Sequence, residues 1–275
     1  RLQNRATYIK NDGERAAYDG QIRRLRLRFD GYVGNPKFLY AIQLSFAPGD
    51  VGEIKEGENI NIIRDAVIFY RPNKHWNISF GQTKLPGNRQ RVNSSGGLQL
   101  TDRTINNAKF TIDRDFGFQF HNMNEFKDKF SYNFKGAVST GEGRNVTGKS
   151  DDGVAVTGKI ELLPFGAFAK DGTYFEGDVM REPKPKLMLS GAFQQNNHAR
   201  RTQGQLGNDL FEQRTMKSVL LDAMLKYRGF AAMMSYMSRT TNENAVTFNP
   251  DDLTESNYAY VGNGFFVDPF ERCCS

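Results

Sequence analysis

The chain has 275 residues, enough for one large domain or two ordinary ones, and it is basic, with 37 Lys and Arg against 31 Asp and Glu. An apolar fraction of 38% is low for a soluble core of this length, and no apolar run approaches the roughly 18 residues of a membrane-spanning helix, so a helical membrane protein is excluded. The charges are interspersed, which excludes a disordered basic tail, and their balance suits polyanions, an anionic lipid surface or an anion-selective passage.

Alternating segments recur along the chain and predict strands at 2–9, 20–33, 37–47, 62–71, 75–82, 108–120, 129–139, 153–163, 186–195, 217–228, 229–239 and 257–267. The second contains "RRLRLRFD": Arg24, Arg26, Arg28 and Asp30 share one parity, and Leu25, Leu27 and Phe29 the other. A period of two puts them on opposite faces, one cationic and one oily. Phe38, Tyr40, Ile42, Leu44 and Phe46 share a face of the third strand, Phe116, Phe118 and Phe120 of the sixth, and Val219, Leu221, Ala223, Leu225 and Tyr227 of the tenth. The facing of the fourth, "NIIRDAVIFY", is left open.

Connectors after even-numbered strands are short, as at 34–36, 71–74 and 228–229. Those after odd-numbered strands are long: 48–61, 83–107, 140–152, 196–216 and 240–256. That asymmetry is the mark of an up-and-down antiparallel barrel in an outer membrane. The connector 164–185 breaks the rule. In a soluble sandwich the apolar faces would meet inside. In lipid they face hydrocarbon, and the reverse arrangement would cost roughly 2–4 kcal/mol per Arg at the midplane. Strand length, aromatics near strand ends (Tyr32, Tyr70, Trp76, Tyr227) and a continuously polar parity (Ser131, Asn133, Lys135, Ser139) favour the barrel.

The segment "GQTKLPGNRQRVNSSGGLQLTDRTINN" at 81–107 carries Lys84, Arg89, Arg91 and Arg103, with Pro and Gly permitting tight folding. It reads either as a loop folded inward to narrow a passage or as an ordinary solvated loop. "DRD" at 113–115 places Arg114 at a strand end at headgroup level, or in an ion-pair cluster with its neighbours. His75, His121 and His198 lack metal-ligand spacing, Cys273 and Cys274 are adjacent and build no disulfide framework, and no nucleophile elbow is present. "GEGRNVTGKS" resembles a phosphate loop only superficially, and the acidic "NPDDLTESN" at 249–257 is an ordinary loop or a weak cation site.

At "RRLRLRFDGYVGNPKFLYAIQLSF", "GQTKLPGNRQRVNSSGGLQLTDRT" and "FTIDRDFGFQF" the chain resembles the phosphate-selective porin O and P family, in its Bacteroidetes-type members. The resemblance implies a sixteen-stranded, homotrimeric barrel in the bacterial outer membrane, with an inward-folded third loop, no cofactor and small anions such as phosphate as passengers. It puts Arg24, Arg26, Arg28 and Lys135 on the wall of an anion path and Lys84, Arg89, Arg91 and Arg103 on the loop. The expected molecule is therefore an all-β transmembrane barrel, one domain over 1–275 and incomplete at its C-terminal end, acting as a passive porin and not as an enzyme. A non-conducting or plugged barrel serving a surface complex is the alternative. A soluble sheet binding nucleic acid through its Arg face and a membrane hydrolase are weaker rivals.

Overall fold

Alternation of β-branched or aromatic residues with polar ones gives an extended backbone two chemically distinct faces. In the computed structural model, which describes residues 1–13, 15–51, 61–146 and 153–271, nearly every such stretch is a strand. They are β1 (Leu2–Ile9), β2 (Ala17–Val33), β3 (Asn35–Ser45), β4 (Ile63–Tyr70), β5 (Trp76–Lys84), β6 (Arg114–Asn124), β7 (Ser131–Ser139), β8 (Ala155–Leu163), β9 (Lys186–Arg201), β10 (Asp209–Tyr227), β11 (Phe230–Thr241), β12 (Val246–Phe248), β13 (Ser256–Tyr258) and β14 (Gly262–Glu271). Short helical turns occur at α1 (Pro48–Val51), α2 (Arg89–Val92) and α3 (Ile105–Phe110). The first eleven strands and β14 form one twelve-stranded antiparallel meander in chain order, while β12 and β13 pair apart. The sheet is open, with β1 and β14 as its edges among the described residues.

Three stretches depart from the expected boundaries. The strand expected at 108–120 begins only at Arg114, because Ile105–Phe110 coils into α3, whose first turn Thr104 caps by accepting from the Asn107 amide at 3.3 Å. The connector expected at 196–216 shrinks to 202–208, since β9 and β10 continue as polar strands beyond the alternating zone and turn at Gly204 and Gly207, both with positive φ. At the far end, Val267–Glu271, which does not look like strand, pairs with Phe230–Met234. Pro269 is tolerated there because β14 is an edge strand of the described sheet.

The faces are sorted inside out. In β10, Ser218, Leu220, Asp222, Met224 and Lys226 are buried while Val219, Leu221 and Leu225 are exposed; in β8, Thr157, Lys159 and Glu161 are buried while Val156 and Ile160 are exposed. β4 resolves likewise, with Asp65 and Val67 buried and Ile68 and Tyr70 outward. Phe118 is 61% exposed at mid-strand, its ring 4.3 Å from that of Phe80. Each outward Leu, Ile or Phe gains roughly 1.5–3 kcal/mol on leaving water. No second layer of the described residues covers them, so only hydrocarbon can provide it. Tyr32, Tyr70, Trp76 and Tyr227 stand exposed at the rim of short turns, an aromatic girdle at one interface.

The sheet curls around its own connector between β5 and β6. Asp102 of that connector pairs with Arg23 of β2 at 2.6 Å, whereas Asn106, four residues on, packs so closely on Gly264 of β14 that a Cβ there would clash. Strands from opposite ends of the meander thus touch one loop.

Candidate functional site

The connector 85–113 leaves β5 at one rim and crosses the interior to the far wall. Lys159 Nζ donates to the Gly87 carbonyl at 2.7 Å, and the Arg89 amide donates to Asp222 Oδ2 at 2.8 Å. The Arg89 side chain enters a buried cluster in which Glu161 pairs with Arg89, with Lys135 at 2.6 Å and with Lys159 at 3.2 Å. On the return limb Arg239, 1% exposed, donates to the carbonyls of Lys109, Phe110 and Thr111 at 3.0–3.1 Å. Inside the loop, Asn88 bridges Asn107 (3.0 Å) and Thr111 (2.8 Å), and Gln90 Oε1 accepts from the amide and hydroxyl of Thr104. A segment this short of apolar residues holds its shape by satisfying its own backbone and borrowing donors from the wall.

Two adjoining cavities lie between this loop and β2–β5, of about 420 Å³ and about 390 Å³. They share Arg26, Arg64, Arg91 and Arg103, so they are two parts of one space. Ten cationic side chains line the pair against four carboxylates, Asp50, Asp65, Asp102 and Asp113. Lys84 and Arg103 have no carboxylate within ion-pair distance among the described residues. Lys84 donates to the carbonyls of Val92 and Asn93 at 2.8 and 3.1 Å, and Arg103 to those of Gln90 and Asn93 at 2.8 and 2.9 Å. Burial first, then Arg91 and Arg24 beside it, lowers Arg103 to about 10, which still leaves it charged at neutral pH. Burial alone would raise Asp113, yet Arg91 and Arg114 hold it well below the usual carboxylate range. Ser94, Ser95 and Thr83 add hydroxyls to the lining.

Six of the eight residues singled out in the sequence meet here. Arg26, Arg28, Lys84, Arg91 and Arg103 line the larger cavity, and Arg24 lines the other beside Asp102. Arg26 pairs with Asp50 at 2.7 Å, Arg28 pairs with Asp30 at 2.8 Å in a solvated position, and Arg91 pairs with Asp113. Arg89 and Lys135 sit apart, in the cluster around Glu161. Arg23, Arg64 and Arg144 were missed, and of the two readings of Arg114 the ion-pair cluster holds. Arg114 is not at headgroup level but 4% exposed, bonded to Asp65 at 2.9 Å and 3.5 Å from Asp113. Charge adjacency in "IRDAV" and "DRD" was the available signal: Asp65 of β4 and Arg114 of β6, with β5 between them, meet on the inner face of the sheet. The "GEG" glycines turn their amides on Asp115, Gly141 at 2.6 Å and Gly143 at 3.1 Å, and so cap a carboxylate rather than a phosphate.

An antiparallel meander with an oily exterior, a polar interior and a loop folded inside it is the architecture of the outer-membrane β-barrel class. The family described as Phosphate-selective porin O and P matches residues 3–170, more than half of the sequence, and the chain belongs to that family. No curated protein and no solved structure matches it. Membership makes the chain an outer-membrane porin of bacteria, in a family of channels rather than enzymes.

Proposed function

We propose that the barrel is a passive diffusion channel with preference for anions, phosphate among them, and that the anion path runs through the paired cavities lined by Arg24, Arg26, Arg28, Lys84, Arg91 and Arg103. The single observation that carries this is the excess of nine guanidinium groups over four carboxylates around that space. A multivalent anion entering it exchanges part of its hydration for guanidinium and ammonium groups fixed in advance by backbone carbonyls, which lowers the barrier to entering. Guanidinium offers phosphate two parallel N–H donors, a fit that a single ammonium lacks. The cations are spread over the wall and the loop, so an anion is handed along rather than trapped, and shallow binding is what conduction requires. Arg89 and Lys135, both paired with Glu161, hold the loop and do not line the path. The working unit is a homotrimer of single-domain barrels in outer-membrane lipid, as the family suggests.

Reversal potentials across planar bilayers under a salt gradient test this reading. The wild-type barrel should reverse on the anion side, and phosphate should reduce the chloride current. Arg28→Ala, a solvated position, should leave stability within about 0.5 kcal/mol while lowering the anion-to-cation permeability ratio. Absent conductance, or cation selectivity, would overturn the proposal in favour of a non-conducting barrel.

A further inference from the structure

We infer that the connector 164–185, entering from the rim of short turns, is a strut that fixes the constriction loop through Glu176 and closes the β7–β11 half of the interior, leaving β2–β5 as the one wall of the path. This rests on the reading of 85–113 as the narrow point of that path.

The connector is anomalous in length for its rim, where its neighbours are Gly34 alone, 71–75, 125–130 and 228–229. The interior accounts for the excess. Lys226 of β10, 1% exposed, donates through Nζ to the carbonyls of Gly172, Phe175 and Gly177 at 2.7, 2.8 and 2.9 Å, gathering the connector onto the wall. Asp178 accepts from the Gly229 amide at 2.8 Å, and Phe168 is buried against Leu163, Met188, Met224 and Met233. That half of the lumen therefore has a packed apolar core where an open channel would hold water.

From this base the connector reaches the loop that descends from the opposite rim. The Glu176 amide donates to the Gly97 carbonyl at 2.8 Å, the Gln99 amide donates to Glu176 Oε2 at 2.8 Å, and Gln90 Nε2 donates to Glu176 Oε1 at 3.1 Å. One side chain thus ties both limbs of the loop, with no cation as ion-pair partner among the described residues. The approach is so close that a Cβ on Gly97 would stand 2.4 Å from the Tyr174 carbonyl oxygen. Tyr174 also lines the larger cationic cavity and lies 5.2 Å beneath the Arg89 guanidinium, so the connector contributes to the wall of the path itself. Glu176 acts through the loop and is a positioning residue.

Native-state hydrogen exchange on the folded, detergent-held chain, read on the 94–103 peptide, tests the strut independently of conduction. Glu176→Ala should speed exchange there by roughly ten-fold, as loss of a buried acceptor implies, and Glu176→Gln, which keeps a carbonyl acceptor, should fall between. Gly97→Ala, made on the loop side, should give the same acceleration should the first variant not fold. Unchanged exchange overturns the strut, even in a barrel that conducts anions. If the wild type fails to conduct, the channel reading falls while exchange still decides the strut. In a background lacking Cys273 and Cys274, a charged thiol reagent should label Thr83→Cys and not Met233→Cys, and labelling of the latter overturns the closed half.

Discussion

The two sides of the interior are built from the same alternating strands and behave as different materials. Along β7–β11 the inward residues are Met, Leu and Ala, polar side chains such as Asn133, Thr157, Gln194 and Ser218, and a buried cluster in which Glu161 contacts Arg89, Lys135 and Lys159. Along β2–β5 they are guanidinium groups whose carboxylates are too few, and the space before them is open. Charge that is buried and tied to fixed partners provides mechanical support, and charge beside an open cavity provides a field. The loop 85–113 belongs to both, anchored by its ends in the first and facing the second with Arg91 and Arg103.

The largest loss should follow a change on the dry side. Glu161→Ala removes the carboxylate that three buried cations share and should cost about 3–5 kcal/mol, read as a fall in the midpoint of urea unfolding from detergent. An equal midpoint would mean the cluster is wet and the two halves are alike. Next, Phe118→Arg puts a cation on the outward face at mid-strand and should cost roughly 2–4 kcal/mol in lipid, whereas the inward Arg64 one strand pair away is native. Refolding yield into vesicles measures it.

A smaller effect belongs to the open side. Asp50 accepts from Arg26 and Arg64, and Asp50→Asn should raise the anion-to-cation permeability ratio by about two- to five-fold, the scale of roughly 0.5–1 kcal/mol. Burial works against the Asp50 carboxylate, but Arg64, then the Ser45 hydroxyl and Arg26, bring it down from 3.8 to about 2. Its folded value lies below its unfolded one, so its stabilisation is complete above 3.8 and is lost as pH falls toward 2. Acid titration of stability should show that loss in the wild type and not in the variant.

Most of the strands were legible because the lipid-facing parity is a strict rule with a period of two, and "RRLRLRFD" states it in eight letters. The inward-folded loop was legible only through the family resemblance, since the mixture of Pro, Gly and cations at 81–107 also fits a solvated loop. Its internal assignment was not. Nothing in the string separates Arg89 from Arg91, two residues apart, although one is sealed against Glu161 and the other faces the cavity, since that choice is made by partners 72 and 22 residues away. Arg64 escaped because its strand was read for oily residues, where an inward Arg looks like an interruption. The role of 164–185 escaped altogether; its length was visible, but the carbonyls that Lys226 collects belong to no motif.

The reversal of the two faces has a consequence for how this chain can drift. A soluble protein guards its greasy positions, since each must fit its neighbours in shape. Here the greasy positions touch fluid acyl chains that ask for oiliness and nothing more, so Leu27, Phe118 or Leu221 can be exchanged freely among apolar residues. The positions that admit little change are polar, among them Glu161, Lys226 and Arg239, which in an ordinary domain would be the first to vary.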